Sequence, residues 1–155
     1  MSQPFQKFDT FVEDLAHGVH ALDTDQLFVL LTPTAPSAAD TEVDTTVSPY
    51  ALLPSGALEI AAGNGYTQGG NLAAFVSDGQ VAGLYALVLA SPAVWTAGPA
   101  ALPLFRYAVV YNATAGAPAA RPVVGWFDYG TGIAPNAGET FTLTLDQTNG
   151  TLTLT

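Results

Sequence analysis

The chain has no cysteine, only three lysines and arginines, and one methionine among 155 residues. Without cysteine there is no disulfide, no cysteine-ligated zinc or iron–sulfur centre, and no thiol nucleophile. Thirteen acids against three bases leave a formal net charge of −10, with an isoelectric point near 4.1. A nucleic-acid binder needs Lys and Arg to displace counterions from phosphates, and an anionic membrane surface makes the same demand. Neither nucleic acid nor membrane is therefore expected as a partner. Long apolar runs are also lacking. No stretch reaches the roughly 18 residues of a membrane-spanning helix, and the nearest, Val81 to Ala90, is broken by Gly83 and suits a buried strand. Behind Lys7 the acids Asp9, Glu13 and Asp14 interrupt any signal-peptide core, so no leader is expected. Charged residues make up only 10% of the chain. So few ionisable groups leave little for acid–base chemistry and much for packing.

What is present is apolar and strand-forming. Hydrophobic residues reach 49%, with a mean hydropathy of +0.32. The length suits a single domain with a sizeable core. Residues 1–8 read as an N-terminal arm. Thr10 with Glu13 has capping-box spacing, Phe8, Phe11, Val12, Leu15, Ala16 and Val19 recur at helical period, and Gly18 suits the position after the last turn, which predicts a helix over 10–18. Gln26 to Thr32 reads as a strand buried on both faces, ended by Pro33. Residues 33–57, rich in Pro, Thr and Ser, read as an extended loop reaching over the surface or towards a neighbour. A glycine-rich loop spans Ala61 to Asn71. Leu72 to Asp78 and Val81 to Ala90 read as a hairpin turning at Asp78-Gly79, with Val94 to Thr96 a short edge piece. Leu102 to Asn112 and Pro122 to Tyr129 read as a strand pair. Phe141 to Asp146 and Thr151 to Thr155 read as a second hairpin across Asn149-Gly150. The expected fold is mainly β: an antiparallel sandwich or barrel with one short N-terminal helix.

Few constellations carry chemistry. His17 and His20 stand three apart near Glu13, Asp14 and Asp23, but Gly18 breaks the shared helix face, so they read as surface residues rather than metal ligands. The glycine-rich loop lacks the Lys and Ser/Thr of a phosphate loop, and its glycines read instead as positive-φ or close-approach positions. Arg106 and Asp128 lie within two apolar strands. If those strands pair, the two residues make a structural or intersubunit ion pair. Phe5, Phe8, Tyr50, Tyr66, Trp95 and Trp126 are the aromatic candidates for an interface between subunits. Exposed Trp95 and Trp126 would alternatively suit sugar stacking in a glycan-binding host-attachment module. No carboxylate dyad and no Gly-x-Ser-x-Gly elbow is present. The expectation is a non-enzyme without catalytic residues, cofactor or metal.

Several segments resemble, in order, a group of small structural proteins of tailed bacteriophages. They are Phe8 to His20, Leu27 to Pro36, Glu59 to Thr67 with Gly69-Gly70-Asn71, Phe105 to Asn112, Gly125 to Gly130, and Gly138 to Thr142. The resemblance implies a virion protein, made in the bacterial cytoplasm and located on the capsid surface. Its size, β-rich composition and acidity are similar to those of head decoration (cement) proteins, which clamp neighbouring subunits of the major capsid protein and often self-associate as trimers. A tail-tube, tail-terminator or neck protein is the alternative within the same class. Residues 41–57 depart from the group, whose members run more directly from the first strand to the Glu59-Ile60 segment.

Overall fold

The two strongest apolar runs become neighbours in one antiparallel sheet. The structure is a computed structural model describing residues 4–154, so Met1 to Gln3 of the expected arm and Thr155 lie outside it. In chain order the elements are β1 (Gln6–Lys7), α1 (Asp9–Ala16), β2 (Leu27–Thr32), β3 (Glu42–Asp44), β4 (Ala51–Leu53), β5 (Asn71–Ala73) and β6 (Phe75–Val81). They continue with β7 (Leu84–Leu89), β8 (Trp95–Thr96), β9 (Phe105–Asn112), β10 (Arg121–Ile133), β11 (Thr140–Phe141) and β12 (Leu152–Leu154). The main sheet has the order β4-β3-β10-β9-β2-β5, with β1 also paired to β10. Two smaller sheets, β11-β8 and β12-β7-β6, complete the molecule. All these pairings are antiparallel, as the composition predicts.

Side-chain alternation explains why β2 and β9 carry continuous apolar runs. Val29 and Leu31 of β2, with Ala108 and Val110 of β9, face a core shared with α1 (Phe11), β7 (Leu87, Leu89), β8 (Trp95), β11 (Phe141) and β12 (Leu152). Leu30 of β2, with Val109 and Tyr111 of β9, faces a second core closed by Val43, Leu52, Phe8 and Trp126. Both faces of β2 and of β9 from Ala108 onward are thus largely removed from water, where alternation with polar residues would have left one face wet. In β10 the register shifts between Val123 and Gly125. That bulge lets Val123 and Trp126, of opposite parity, serve the same core.

Helix α1 is shorter than expected, starting at Asp9 and ending at Ala16. The capping box does not form. Phe8 occupies the N-cap without a side-chain hydrogen bond, and the Thr10 hydroxyl is buried without a partner. Burial of Phe8 (1% exposed) sets the helix start, overriding the local polar signal. Val12 and Val19 of the predicted stripe stand exposed. Gly18 does end the helix, at φ +72°: its N–H donates to the Leu15 carbonyl at 3.1 Å and the Val19 N–H to the Asp14 carbonyl at 2.8 Å, a Schellman pair.

Three expectations about loops and turns are corrected. Segment 33–57 is no extended loop. It folds into the hairpin β3–β4 and adds to the sheet edge beside β10, with Val43 opposite Arg121. Asp40, fully buried, ties it down by accepting from the Ser37 and Ser55 N–H groups and the Ser55 hydroxyl at 2.8–2.9 Å. The hairpin expected to turn at Asp78-Gly79 turns instead at Ala82-Gly83, both at positive φ (52° and 85°), with Val81 opposite Leu84. That is a two-residue turn whose twist matches the flanking strands. Phe141 to Asp146 does not pair with Thr151 to Leu154. Phe141 pairs with Trp95 and Leu152 with Leu87, because Phe141, Leu143, Leu145 and Leu152 share the core with the β7 and β8 strands. The Asp146 carboxylate instead closes the intervening turn on the Thr148 and Asn149 N–H groups, both at 2.8 Å.

Candidate interaction surface

The aromatic residues expected at an interface lie mostly inside the chain. Phe8, Tyr66 and Trp95 are 1–3% exposed, and Trp126 is 8% exposed. Trp95 stacks near Phe141 with ring centroids 5.7 Å apart, and Trp126 lies 4.6 Å from Phe8. Phe5 is half-buried, 5.0 Å from Phe127, and Tyr50 borders the second core. These side chains are core because each strand that carries one has a partner sheet or arm across from it. Neither tryptophan offers an open face for a sugar ring. The arm is likewise not free over its described part: β1 is a strand of the sheet, with Lys7 opposite Gly125. Gly125 makes this possible. A Cβ there would stand 2.4 Å from the Gln6 carbonyl oxygen and 2.3 Å from the Phe5 ring.

Arg106 and Asp128 do meet. Arg106 Nε and Nη2 donate to the two carboxylate oxygens at 2.7 and 2.8 Å, a fork-to-fork pair across β9 and β10. Hydrogen bonding from Arg106 holds the Asp128 carboxyl below its usual range. The guanidinium also lies 5.2 Å from the centre of the Tyr107 ring. The pair joins two strands of one chain and is partly open to solvent, where such pairs contribute little stability.

The glycine-rich loop surrounds a buried carboxylate, Glu59, that no local pattern of charge or period marks. Glu59 is 3% exposed. Its Oε1 accepts from the Tyr50 N–H at 2.9 Å, and its Oε2 from the Tyr66 hydroxyl at 2.7 Å and the Gly69 N–H at 2.9 Å. Tyr66 in turn accepts from the Leu31 N–H at 3.2 Å, and Tyr111 donates to the Gly69 carbonyl at 3.1 Å. Burial raises the Glu59 pKa, opposed by these three donors. Burial raises Tyr66 as well, reinforced by the neighbouring Glu59 carboxylate. The network fastens the loop to β2 and β9. A motif of Glu, six residues, then Tyr beside clustered glycines is the sequence signal for it.

His20, expected on the surface, is 5% exposed. Its environment fixes its proton. Asn112 Oδ1 accepts from the Thr114 and Ala115 N–H groups at 3.0 and 2.9 Å. The Asn112 amide nitrogen therefore faces Asp25 Oδ2 at 2.6 Å and His20 Nδ1 at 3.1 Å. Nδ1 accepts, so the neutral ring carries its proton on Nε2, which is buried without a partner. Burial lowers the His20 pKa below 6.5, against the raising pull of Asp14 and Asp25. A depressed histidine contributes stability above its unfolded value of 6.5, and that contribution is lost as pH falls towards the lower folded value. Chemical denaturation at pH 7.5 and 5.5 is expected to show a loss of stability in the wild type that is smaller in His20→Gln. Equal losses would contradict this assignment.

One uncovered surface is the ribbon of β6 and β7. All seven residues of β6 are exposed, and among the described residues β6 pairs only with β7, leaving its other edge open. Phe75, Val76, Val81 and Leu84 are 36–77% exposed along it, and Leu72 and Val94 flank it at 39% and 50%. Asp78 is the single charged side chain of the ribbon. Beside it, between the turn after α1 and the ribbon, lies a cleft of about 290 Å³ lined by Leu15, His20, Leu22, Asp23, Asp78, Tyr85 and Leu154. Tyr85 donates to Asp78 Oδ2 at 3.0 Å. Its phenol is pushed up to about 12, first by burial and then by that bond. Among the described residues no group of three or more His, Asp or Glu is placed to hold a metal ion, and no helix is long and apolar enough to cross a membrane. No family model, curated protein or solved structure matches the chain.

Proposed function

We propose that the chain is a structural protein of a tailed-phage virion, a decoration protein that binds the assembled head. The observation that carries this reading is the β6–β7 ribbon, where an open strand edge stands uncovered together with the exposed side chains of Phe75, Val76, Val81 and Leu84. The ordered segments that resemble phage structural proteins support it. Leu27 to Thr32, Phe105 to Asn112 and Gly125 to Gly130 lie in the three central strands, and Glu59, Tyr66 and Gly69 form the buried network beneath them. The proposed mechanism is mass action. A protein that binds the assembled shell and not its free subunits stabilises the shell by the free energy of that binding.

The test is sedimentation of the purified chain with empty shells of a phage whose genome encodes it, and separately with unassembled shell subunits and with tails. Saturable binding to shells alone, with a raised temperature of shell disruption, is the expected result. Binding to tails alone, or to none of the three, would overturn the proposal. The described part of the arm, being a strand of the sheet, is not the expected point of contact.

A further inference from the structure

We infer that the free edge of β6 accepts an extended strand of basic character from its partner, with one Lys or Arg of that strand seated in the cleft beside Asp78. The inference deepens the proposed function and rests on it for the identity of the partner, but not for the chemistry of the site. Three observations carry it. The first is the edge. Among the described residues no strand pairs the edge of β6 that turns away from β7, and an added strand pairs it directly. The second is charge. The ribbon carries one acid and no base. Of the chain's three cations, Arg106 is held by Asp128, Arg121 donates to the carbonyls of Thr114, Ala115 and Gly116, and Lys7 lies in β1 on the main sheet. Among the described residues no Lys or Arg is paired with Asp78 or Asp23, so the site's complement is cationic.

The third observation is the cleft. Leu15, Leu22 and Leu154 give it apolar walls, and Asp23 and Asp78 give it carboxylates. Such a site suits the aliphatic stem and charged head of Lys or Arg together. Since the cleft reaches β6 at Asp78, a side chain on that face of an added strand meets it. A second copy of this chain is a poor occupant. Two β6 edges paired antiparallel about their midpoints set Asp78 against Asp78, between molecules each of net charge −10.

The experiment titrates two peptides into the isotope-labelled full chain, followed by NMR. One is acetyl-Lys-Val-Thr-Val-Lys-Val-Thr-amide, and the other has Glu in place of both Lys. The basic peptide should shift the amide resonances of residues 75–81 and 20–23 and slow hydrogen exchange in β6, and should weaken with added salt. The acidic peptide should leave them unmoved. Asp78→Lys, at an exposed position, should fold normally and weaken the basic peptide by at least about tenfold. Equal binding of both peptides, shifts centred elsewhere, no shift at millimolar peptide, or an unchanged affinity in Asp78→Lys would each overturn the inference. The shell assay separates the two claims. If wild type and Asp78→Lys bind shells alike, the β6 edge falls and the decoration role stands. If the basic peptide binds as described and shells do not, the decoration role falls and the edge stands.

Discussion

Glu59→Ala is expected to destabilise the chain by about 3–5 kcal/mol, enough to unfold a marginal domain at ambient temperature. The substitution removes an acceptor from two buried donors, the Tyr66 hydroxyl and the Gly69 N–H, and from the half-buried Tyr50 N–H. Each donor stripped of its acceptor away from water costs about 1–3 kcal/mol. Glu59→Gln keeps the volume and one oxygen, and should cost less. It also removes a titration. The Glu59 pKa is raised above 4.5 by burial, so its contribution is fully present below 4.5 and is lost as pH rises through the raised folded value. Denaturant midpoints measured from pH 4 to 8 should therefore decline less with rising pH in Glu59→Gln than in the wild type. An alanine variant within about 1 kcal/mol of wild type would mean that the network does not hold the loop.

Gly70→Ala is the second severe substitution, and its cause is the backbone. Gly70 has φ +76°, and a Cβ there would lie 1.7 Å from the Val29 carbonyl oxygen and 2.5 Å from the carbonyl carbon. Val29 is in the middle of the main sheet, paired with both Asn71 and Val110, so neither side can yield without breaking a ladder. Gly56 provides the control. It has φ +74° and nothing within 4 Å of the same position. Gly56→Ala should cost about 1–2 kcal/mol for the left-handed conformation alone, whereas Gly70→Ala should cost at least about 3 kcal/mol. Thermal and chemical unfolding of the two variants decides the matter, and similar losses would show that conformation rather than contact dictates the glycine at position 70.

The parts of the fold that followed period and composition were legible in the sequence. Leu27 to Leu31 and Ala108 to Tyr111 are apolar at consecutive positions because cores lie on both sides of them. The Gly18 helix stop and the strand pair carrying Arg106 and Asp128 were equally readable. What escaped was decided by distant partners. Thr10 and Glu13 spell a cap, but the burial of Phe8 moves the helix start. Asn149-Gly150 spells a hairpin, but Leu152 finds Leu87 rather than the Phe141 segment. Residues 33–57 look irregular because their order comes from one buried acid, Asp40, and from pairing with β10, and neither has a local period. Trp95 and Trp126 advertise a surface by residue type and occupy the interior instead. The exposed ribbon left the opposite trace: Phe75, Val76, Val81 and Leu84 read as ordinary strand residues, and only the sheet order shows that nothing covers them.

Electron cryo-microscopy of intact particles from a phage encoding the chain decides where the domain sits. Density for the domain is expected on the outer face of the head, with the β6–β7 ribbon against the shell and a strand of the shell subunit running along β6. Density in the tail or neck, or a head-bound domain whose β6 edge faces solvent, would contradict it.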